Sequence, residues 1–131
     1  MTTVHKTHSG AKHILVIEDE QVLQDVYRMV LASAGYVVHV ANNGLEGLRK
    51  LKAIQPDLIL LDIFMPQMDG REFLRNVDLA DYPGVKVIVC TNLSDRQTEA
   101  EMMELGAHDF VLKSSMTPSD LIRIVKEHLR S

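Results

Sequence analysis

Four apolar runs in this chain end on side chains that can do chemistry. Ile14-Leu-Val-Ile17 leads into Glu18-Asp-Glu20, and Leu58-Ile-Leu-Leu61 leads into Asp62. Val85-Lys-Val-Ile-Val-Cys90 is followed by Thr91-Asn92, and Asp109-Phe-Val-Leu112 by Lys113-Ser114. Gathered at one place, these groups would set several carboxylates against one ammonium and one hydroxyl. Two carboxylates about 4 Å apart repel by roughly 4 kcal/mol at an effective dielectric of about 20. Lys113 can neutralise one such charge and leaves the others. A hard divalent cation with oxygen ligands is the natural remedy, and Mg²⁺ commonly takes one or two carboxylates, waters and a phosphate oxygen. The chemistry this implies is the holding or transfer of a phosphoryl group. Lys113 and Thr91 would bind its equatorial oxygens, leaving one carboxylate free as nucleophile.

Each piece alone has an ordinary explanation. Glu18-Asp-Glu20 could simply place negative charge at a helix N-terminus, and Asp62 could be a turn or cap residue. A lysine ending a strand is commonly solvated, and Thr91-Asn-Leu-Ser-Asp95 reads equally as a loop and a helix cap. The combination is what separates chemistry from coincidence: four independent run ends carry mutually compensating groups.

The intervening segments must bring those ends together. The apolar runs are too short for helices and rich in β-branched residues, as buried strands are. Tyr36-Val-Val-His-Val40 reads as a further strand, and Asn42-Asn-Gly44 as a turn. Between the strands lie helical stripes. The first is Val22, Val26, Met29 and Val30, continuing through Leu31 and Ala34 and closed by Gly35. The second is Leu45, Leu48, Leu51 and Ile54, halted at Gln55-Pro56. After a loop over 62–70, a third helix runs through Phe73, Leu74 and Val77 and is broken by Pro83-Gly84. A fourth opens at Asp95 with Ala100, Met103 and Leu105 facing inward and Gly106 as its cap. A fifth starts at Thr117-Pro118 and buries Leu121, Val125 and Leu129. Five strands alternating with five helices predict an α/β, doubly wound parallel sheet with right-handed crossovers and helices on both faces. In such sheets ligands bind beyond the carboxyl ends of the strands, which is where the polar residues sit.

Composition narrows the function classes. The 131 residues are 46% apolar and 24% charged, which suits one domain with a proper core and argues against disorder. Residues 1–12 are polar and aperiodic and predict a mobile tail, leaving 13–131 as the domain. His5, His8 and His13 lack the spacing and partners of a metal site. No run is long enough for a membrane span, and the N-terminus has no signal-peptide pattern. With a single cysteine, Cys90, read as a packed thiol, the expected location is the cytoplasm. A net charge of −4 and the absence of Trp argue against nucleic-acid binding.

From His13 to Leu129 the chain resembles the receiver domain of two-component response regulators. The motifs carrying the resemblance are Ile14-Leu-Val-Ile-Glu-Asp-Glu20 and Pro56-Asp-Leu-Ile-Leu-Leu-Asp-Ile-Phe-Met-Pro-Gln-Met-Asp-Gly70. Val85-Lys-Val-Ile-Val-Cys-Thr91, Glu104-Leu-Gly-Ala107 and Asp109-Phe-Val-Leu-Lys113 follow at matching intervals. The resemblance implies a flavodoxin-like sheet of order 2-1-3-4-5. It makes Asp62 the phosphoacceptor, and Glu18, Asp19, Asp62 and the main-chain carbonyl of Phe64 the Mg²⁺ site. Thr91 becomes the hydroxyl switch, Lys113 the phosphate-binding lysine and Phe110 the aromatic switch, while Glu20 stays an exposed first-turn carboxylate. The implied partners are a sensor histidine kinase or histidine phosphotransfer protein, which donates the phosphoryl group, and a downstream protein. The latter would read the face formed by the fourth helix, fifth strand and fifth helix. The implied role is signalling rather than enzymatic turnover, limited to self-catalysed phosphotransfer and slow hydrolysis. The leading expectation is a stand-alone receiver working as a phosphorylation-dependent interaction module; the alternative is the receiver portion of a longer regulator or hybrid kinase.

Three positions depart from the family pattern. Ser114 follows Lys113 where a cis proline is common, and a cis bond before serine would cost about 2.5–4 kcal/mol, so a trans bond is expected. Asn92 replaces a smaller residue beside Thr91. Phe64 and Leu93 are apolar at the two positions flanking the family's hydrolytic water, which predicts a long-lived phosphorylated state. Two alternatives fit poorly. A phosphatase of the haloacid dehalogenase type wants a second Asp where Phe64 stands. A flavin carrier wants a phosphate loop where Glu18-Asp-Glu20 would repel one.

Overall fold

The computed structural model describes residues 10–92 and 95–130. Most of the expected tail, with His5 and His8, and also Leu93 and Ser94, lie outside the described residues. Five strands, β1 (His13–Ile17), β2 (Val37–Ala41), β3 (Leu58–Leu61), β4 (Lys86–Thr91) and β5 (Asp109–Leu112), form one sheet in the order β2-β1-β3-β4-β5. Every pairing is parallel. Between and after them run α1 (Gln21–Ser33), α2 (Gly44–Ile54), α3 (Gly70–Arg75), α4 (Arg96–Glu104) and α5 (Pro118–Leu129). Short 3₁₀ turns occupy Leu79–Asp81 and Lys113–Ser115. Among the described residues no helix is long and apolar enough to cross a membrane.

The continuous apolar strands follow from burial on both sheet faces. Successive side chains point to opposite faces, so each run serves two half-cores. Leu15, Ile17, Ile59, Leu61, Val87 and Val89 pack with Leu51, Phe73 and Met102. Ile14, Val16, Leu58, Leu60, Ile88 and Cys90 pack with Tyr27, Leu31, Leu121 and Val125 of α1 and α5. Each fully buried Leu, Ile or Phe contributes about 1.5–3 kcal/mol, so register errors that would expose these rows are strongly disfavoured.

The helices are where the sequence-based expectations need correction. α1 buries Gln24, Tyr27, Val30 and Leu31, while Val22 and Met29 stand 72% and 67% exposed. Its inner stripe is turned from the expected one because a polar residue sits in it: the Gln24 amide donates to the Glu18 carbonyl and to Asn42 Oδ1. In α4 the inner face is Thr98 and Met102 with Leu105 beside it, whereas Ala100 and Met103 face outward. Asp95 is the N-cap of α4 rather than its first residue, accepting the Thr98 N–H at 2.7 Å. Leu45 of α2 is half exposed, and β2 and β4 run one residue further than read, to Ala41 and Thr91. Parallel pairing sets those ends: Ile17 opposes Ala41, and Thr91 opposes Leu112.

The β4–β5 pairing, which sets Thr91 beside the approach to Lys113, begins at a histidine. His108 donates its backbone N–H to the Val87 carbonyl at 2.7 Å, and its ring Nδ1 accepts the Val87 N–H at 3.0 Å. Desolvation holds the His108 pKa below the usual 6.5, and the nearby Lys86 and His128 charges lower it further. Protonation at Nδ1 would also remove the acceptor. The folded state therefore binds fewer protons here than the unfolded chain does. The contribution of His108 is full above about pH 6.5 and declines as pH falls through that value. Urea midpoints of wild type and His108→Ala should accordingly differ most above pH 6.5 and converge below it; a gap independent of pH contradicts this.

Candidate functional site

At the carboxyl ends of β1, β3, β4 and β5 the side chains singled out from the sequence converge. Backbone geometry fixes their spacing before any side chain is considered. The Asp62 N–H donates to the Ile17 carbonyl at 3.1 Å, and the Glu18 N–H to the Ala41 carbonyl at 3.0 Å. The first residue past β1 and the first past β3 are thereby locked side by side. Glu18, Asp62 and Thr91 are buried, and Asp19 and Glu20 are exposed.

Lys113 bridges two of the carboxylates. Its Nζ lies 2.6 Å from Glu18 Oε1 and 3.4 Å from Asp62 Oδ1, and its side chain is only 9% exposed. Glu18, Asp19 and Asp62 each offer an oxygen within 4.8 Å of the other two. Burial pushes the Asp62 carboxyl above the ordinary carboxylate range and Asp19 adds to the effect, against the pull of Lys113. Glu18 is raised for the same reasons, burial first and then the charge of Asp62, despite its hydrogen bond to Lys113. Burial alone would lower the Lys113 ammonium, but its bond to Glu18 and the charges of Asp62 and Glu18 outweigh this and hold it above its usual value. One ammonium therefore serves two carboxylates with a third close by, and among the described residues the cluster is short of positive charge. Hard oxygen donors, close spacing and that deficit fit a small divalent cation such as Mg²⁺.

A cleft of about 300 Å³ opens over the cluster, lined by Glu20, Asp62, Phe64, Thr91, Asn92 and Lys113. Phe64 stands on its rim, 52% exposed, in the loop that leaves β3. Phe110 is not in the cleft. Its residue on β5 pairs with Val89 of β4, and its half-buried ring packs against the core cluster, as Leu105 and Tyr82 also do. The peptide bonds are trans throughout the described residues, including the one between Lys113 and Ser114. Cys90 is buried next to Thr91, and desolvation pushes its thiol up to about 12, so it is a packing group and not a nucleophile.

Other residues build the site without announcing themselves by charge. The loop after β3 carries Gln67 and Met68 at φ of 50° and 74°, two left-handed residues in succession without glycine. This turn brings the Met68 carbonyl to the Gly44 N–H at 2.9 Å. Gly70 starts α3 directly against the first residues past β3: a Cβ there would meet the Asp62 carbonyl oxygen at 2.5 Å. Asp69 then caps α3 in a reciprocal pair with Glu72. The Met-Asp-Gly spacing signals this turn in the sequence, whereas nothing there marks Gln24 as the brace between the Glu18 carbonyl and Asn42.

Comparison with known proteins agrees with this geometry. Residues 14–126 match the family model of the response regulator receiver domain. The chain is 32% identical over 103 residues to a chemotaxis protein CheY of Thermotoga maritima, covering 78% of this chain and 85% of that protein. It is 37% identical over 102 residues to a probable C4-dicarboxylate response regulator DctR of Halalkalibacterium halodurans, covering 76% of this chain and only 44% of that one. Among solved structures, a CheY-like receiver domain protein from Methanospirillum hungatei superposes with a TM-score of 0.85 at 31% identity, covering 92% of this chain and 94% of its own. The chain belongs to the response regulator receiver domain family.

Proposed function

We propose that this receiver domain accepts a phosphoryl group on Asp62 from a phosphohistidine of a sensor histidine kinase or histidine phosphotransfer protein. The observation that carries the reading is the Asp62 carboxylate at the floor of the cleft, facing the Lys113 ammonium with Glu18 and Asp19 alongside. An Asp62 oxygen attacks phosphorus as the bond from phosphorus to the donor imidazole nitrogen breaks, and the imidazole regains a proton. Lys113 then turns from the carboxylates toward the new phosphoryl oxygens, and Thr91 at the end of β4 meets them from the other side. Glu18, Asp19, Asp62 and the Phe64 carbonyl are the residues proposed to hold Mg²⁺. When bound, it would screen the incoming phosphoryl oxygens from the carboxylates.

Signalling on this reading is a shift between two conformations. Contact between Thr91 and the phosphoryl group favours an inward Phe110, whose half-buried ring already packs on the same core cluster as Leu105 beyond the end of α4. The face of α4, β5 and α5 changes shape with it, and a downstream protein reads that face. Only differential contacts of a few kcal/mol are needed. That 13–131 form one receiver unit, acting in the cytoplasm without nucleic acid or membrane as direct partners, belongs to the same proposal. A stand-alone receiver is supported by the CheY relative, of which the chain spans 85%, and the alternative of a place within a longer protein by the DctR relative, of which it spans 44%.

Three measurements test this. Acetyl phosphate with Mg²⁺ should add one phosphoryl mass to wild type and none to Asp62→Ala by intact mass; equal uptake overturns the reading. In metal-free buffer near neutral pH, Asp62→Asn should melt several degrees higher than wild type. The raised pKa values mean that the folded state holds these protons more tightly, so ionisation above the ordinary carboxylate range destabilises it. Mg²⁺ should then stabilise wild type more than the variant, by mass action. Finally, Phe64→Asn should lose phosphate several-fold faster, because a polar residue at the rim admits water; equal or slower loss removes the screening role of the ring.

A further inference from the structure

Phe64 poses a physical problem: an aromatic ring that is 52% exposed on a loop has little to hold it over the cleft. The contact that answers this comes from α3. The Arg71 guanidinium carbon sits 5.8 Å from the centre of the Phe64 ring, inside the range of a cation–π contact. Arg71 is in turn anchored on α4. Its Nε donates to Glu101 Oε1 at 2.6 Å, and its Nη2 reaches Thr98 Oγ1 at 3.4 Å. The Thr98 hydroxyl donates onward to Asp95 Oδ2 at 3.0 Å. The second oxygen of Glu101 takes Arg75 Nη2 at 2.9 Å, so one carboxylate ties two successive turns of α3 to α4. With two nitrogens committed to α4, the planar guanidinium is held in place, with its carbon over the Phe64 ring.

We propose that Arg71 is a positioning residue of the Asp62 site: braced by Glu101 and Thr98, it holds the Phe64 ring at the cleft rim and slows attack of water on a phosphoryl group carried by Asp62. This rests on the reading of Asp62 as phosphoacceptor. In the retarded step a water oxygen bonds to phosphorus as the bond from phosphorus to the Asp62 oxygen breaks. The carboxylate is regenerated, and inorganic phosphate departs with both hydrogens of the water. Arg71 touches neither water nor phosphorus; it acts through the ring. Because its anchors are on α4, the same brace links phosphate retention to the position of that helix.

The test uses the full chain phosphorylated with acetyl phosphate and Mg²⁺, then freed of donor, with phosphate loss followed by intact mass. Arg71→Ala should shorten the phosphorylated lifetime roughly two- to fivefold, the scale of one partly exposed cation–π contact. Arg71→Lys, which keeps the charge but not the fork, should fall between. In a Phe64→Ala background, Arg71→Ala should have no further effect, a coupling that mere loss of stability would not produce. Equal lifetimes in wild type and Arg71→Ala, or an effect of undiminished size without the ring, overturn the proposal. Ring restraint is read separately by Phe64→Trp, a unique fluorophore because the chain has no other Trp. Its nanosecond anisotropy should drop when Arg71→Ala is added, and unchanged anisotropy also overturns the proposal. Absence of phosphate uptake by wild type would instead overturn the acceptor reading, while the anisotropy still decides whether Arg71 positions the ring.

Discussion

The arrangement depends on one electrostatic fact: among the described residues, Lys113 is the single ammonium spanning the buried carboxylates of Glu18 and Asp62, with the exposed Asp19 alongside. Burial alone would neutralise these acids. Instead the sheet register presses them together, and one lysine holds them short of balance. Such a cluster is poised rather than content. On the proposed reading, an arriving cation and an arriving phosphoryl group would find their counter-charges already oriented, with little reorganisation left for the moment of reaction. The hydrophobic rows below exist, in functional terms, to make that crowding tolerable.

The division of labour between strands and loops follows from this. The parallel ladders set where the first residue after each strand lies, to within hydrogen-bonding precision, as with Asp62 N–H on the Ile17 carbonyl. The loops set what surrounds those residues. Phe64 lines the rim, Gln67 and Met68 turn the loop back toward α2, and α3 is drawn so close that only a glycine fits at 70. Arg71 and Arg75 then carry the influence of the rim across to α4. The groups proposed to do the chemistry sit on the rigid part, while their surroundings belong to the adjustable part.

Much of this was legible in the residues. Strands buried on both faces leave an unbroken apolar signature, and their chemistry-bearing successors stand out against it. Asp62, Thr91 and Lys113 could be read as neighbours because parallel topology leaves them one edge to share. Helix faces were less legible. α1 and α4 turn by about a residue from the apolar stripe, because Gln24 and Thr98 are buried in hydrogen bonds that hydrophobic periodicity does not see. Arg71 was invisible for another reason: its partners Phe64, Thr98 and Glu101 are brought together only by tertiary packing, and no spacing along the chain encodes the contact.

The close seating of Gly70 and Gly44 has a consequence for how this molecule can drift. Both backbones lie against the active loop with no space for even a methyl group. Variation therefore has to enter elsewhere, through outward positions such as Val22, Met29 and Met103, which are exposed and tolerant of exchange. The fold thus separates a frozen reaction centre from an editable exterior. New partners can be acquired by repainting the outside of the helices, while the chemistry beneath remains untouched.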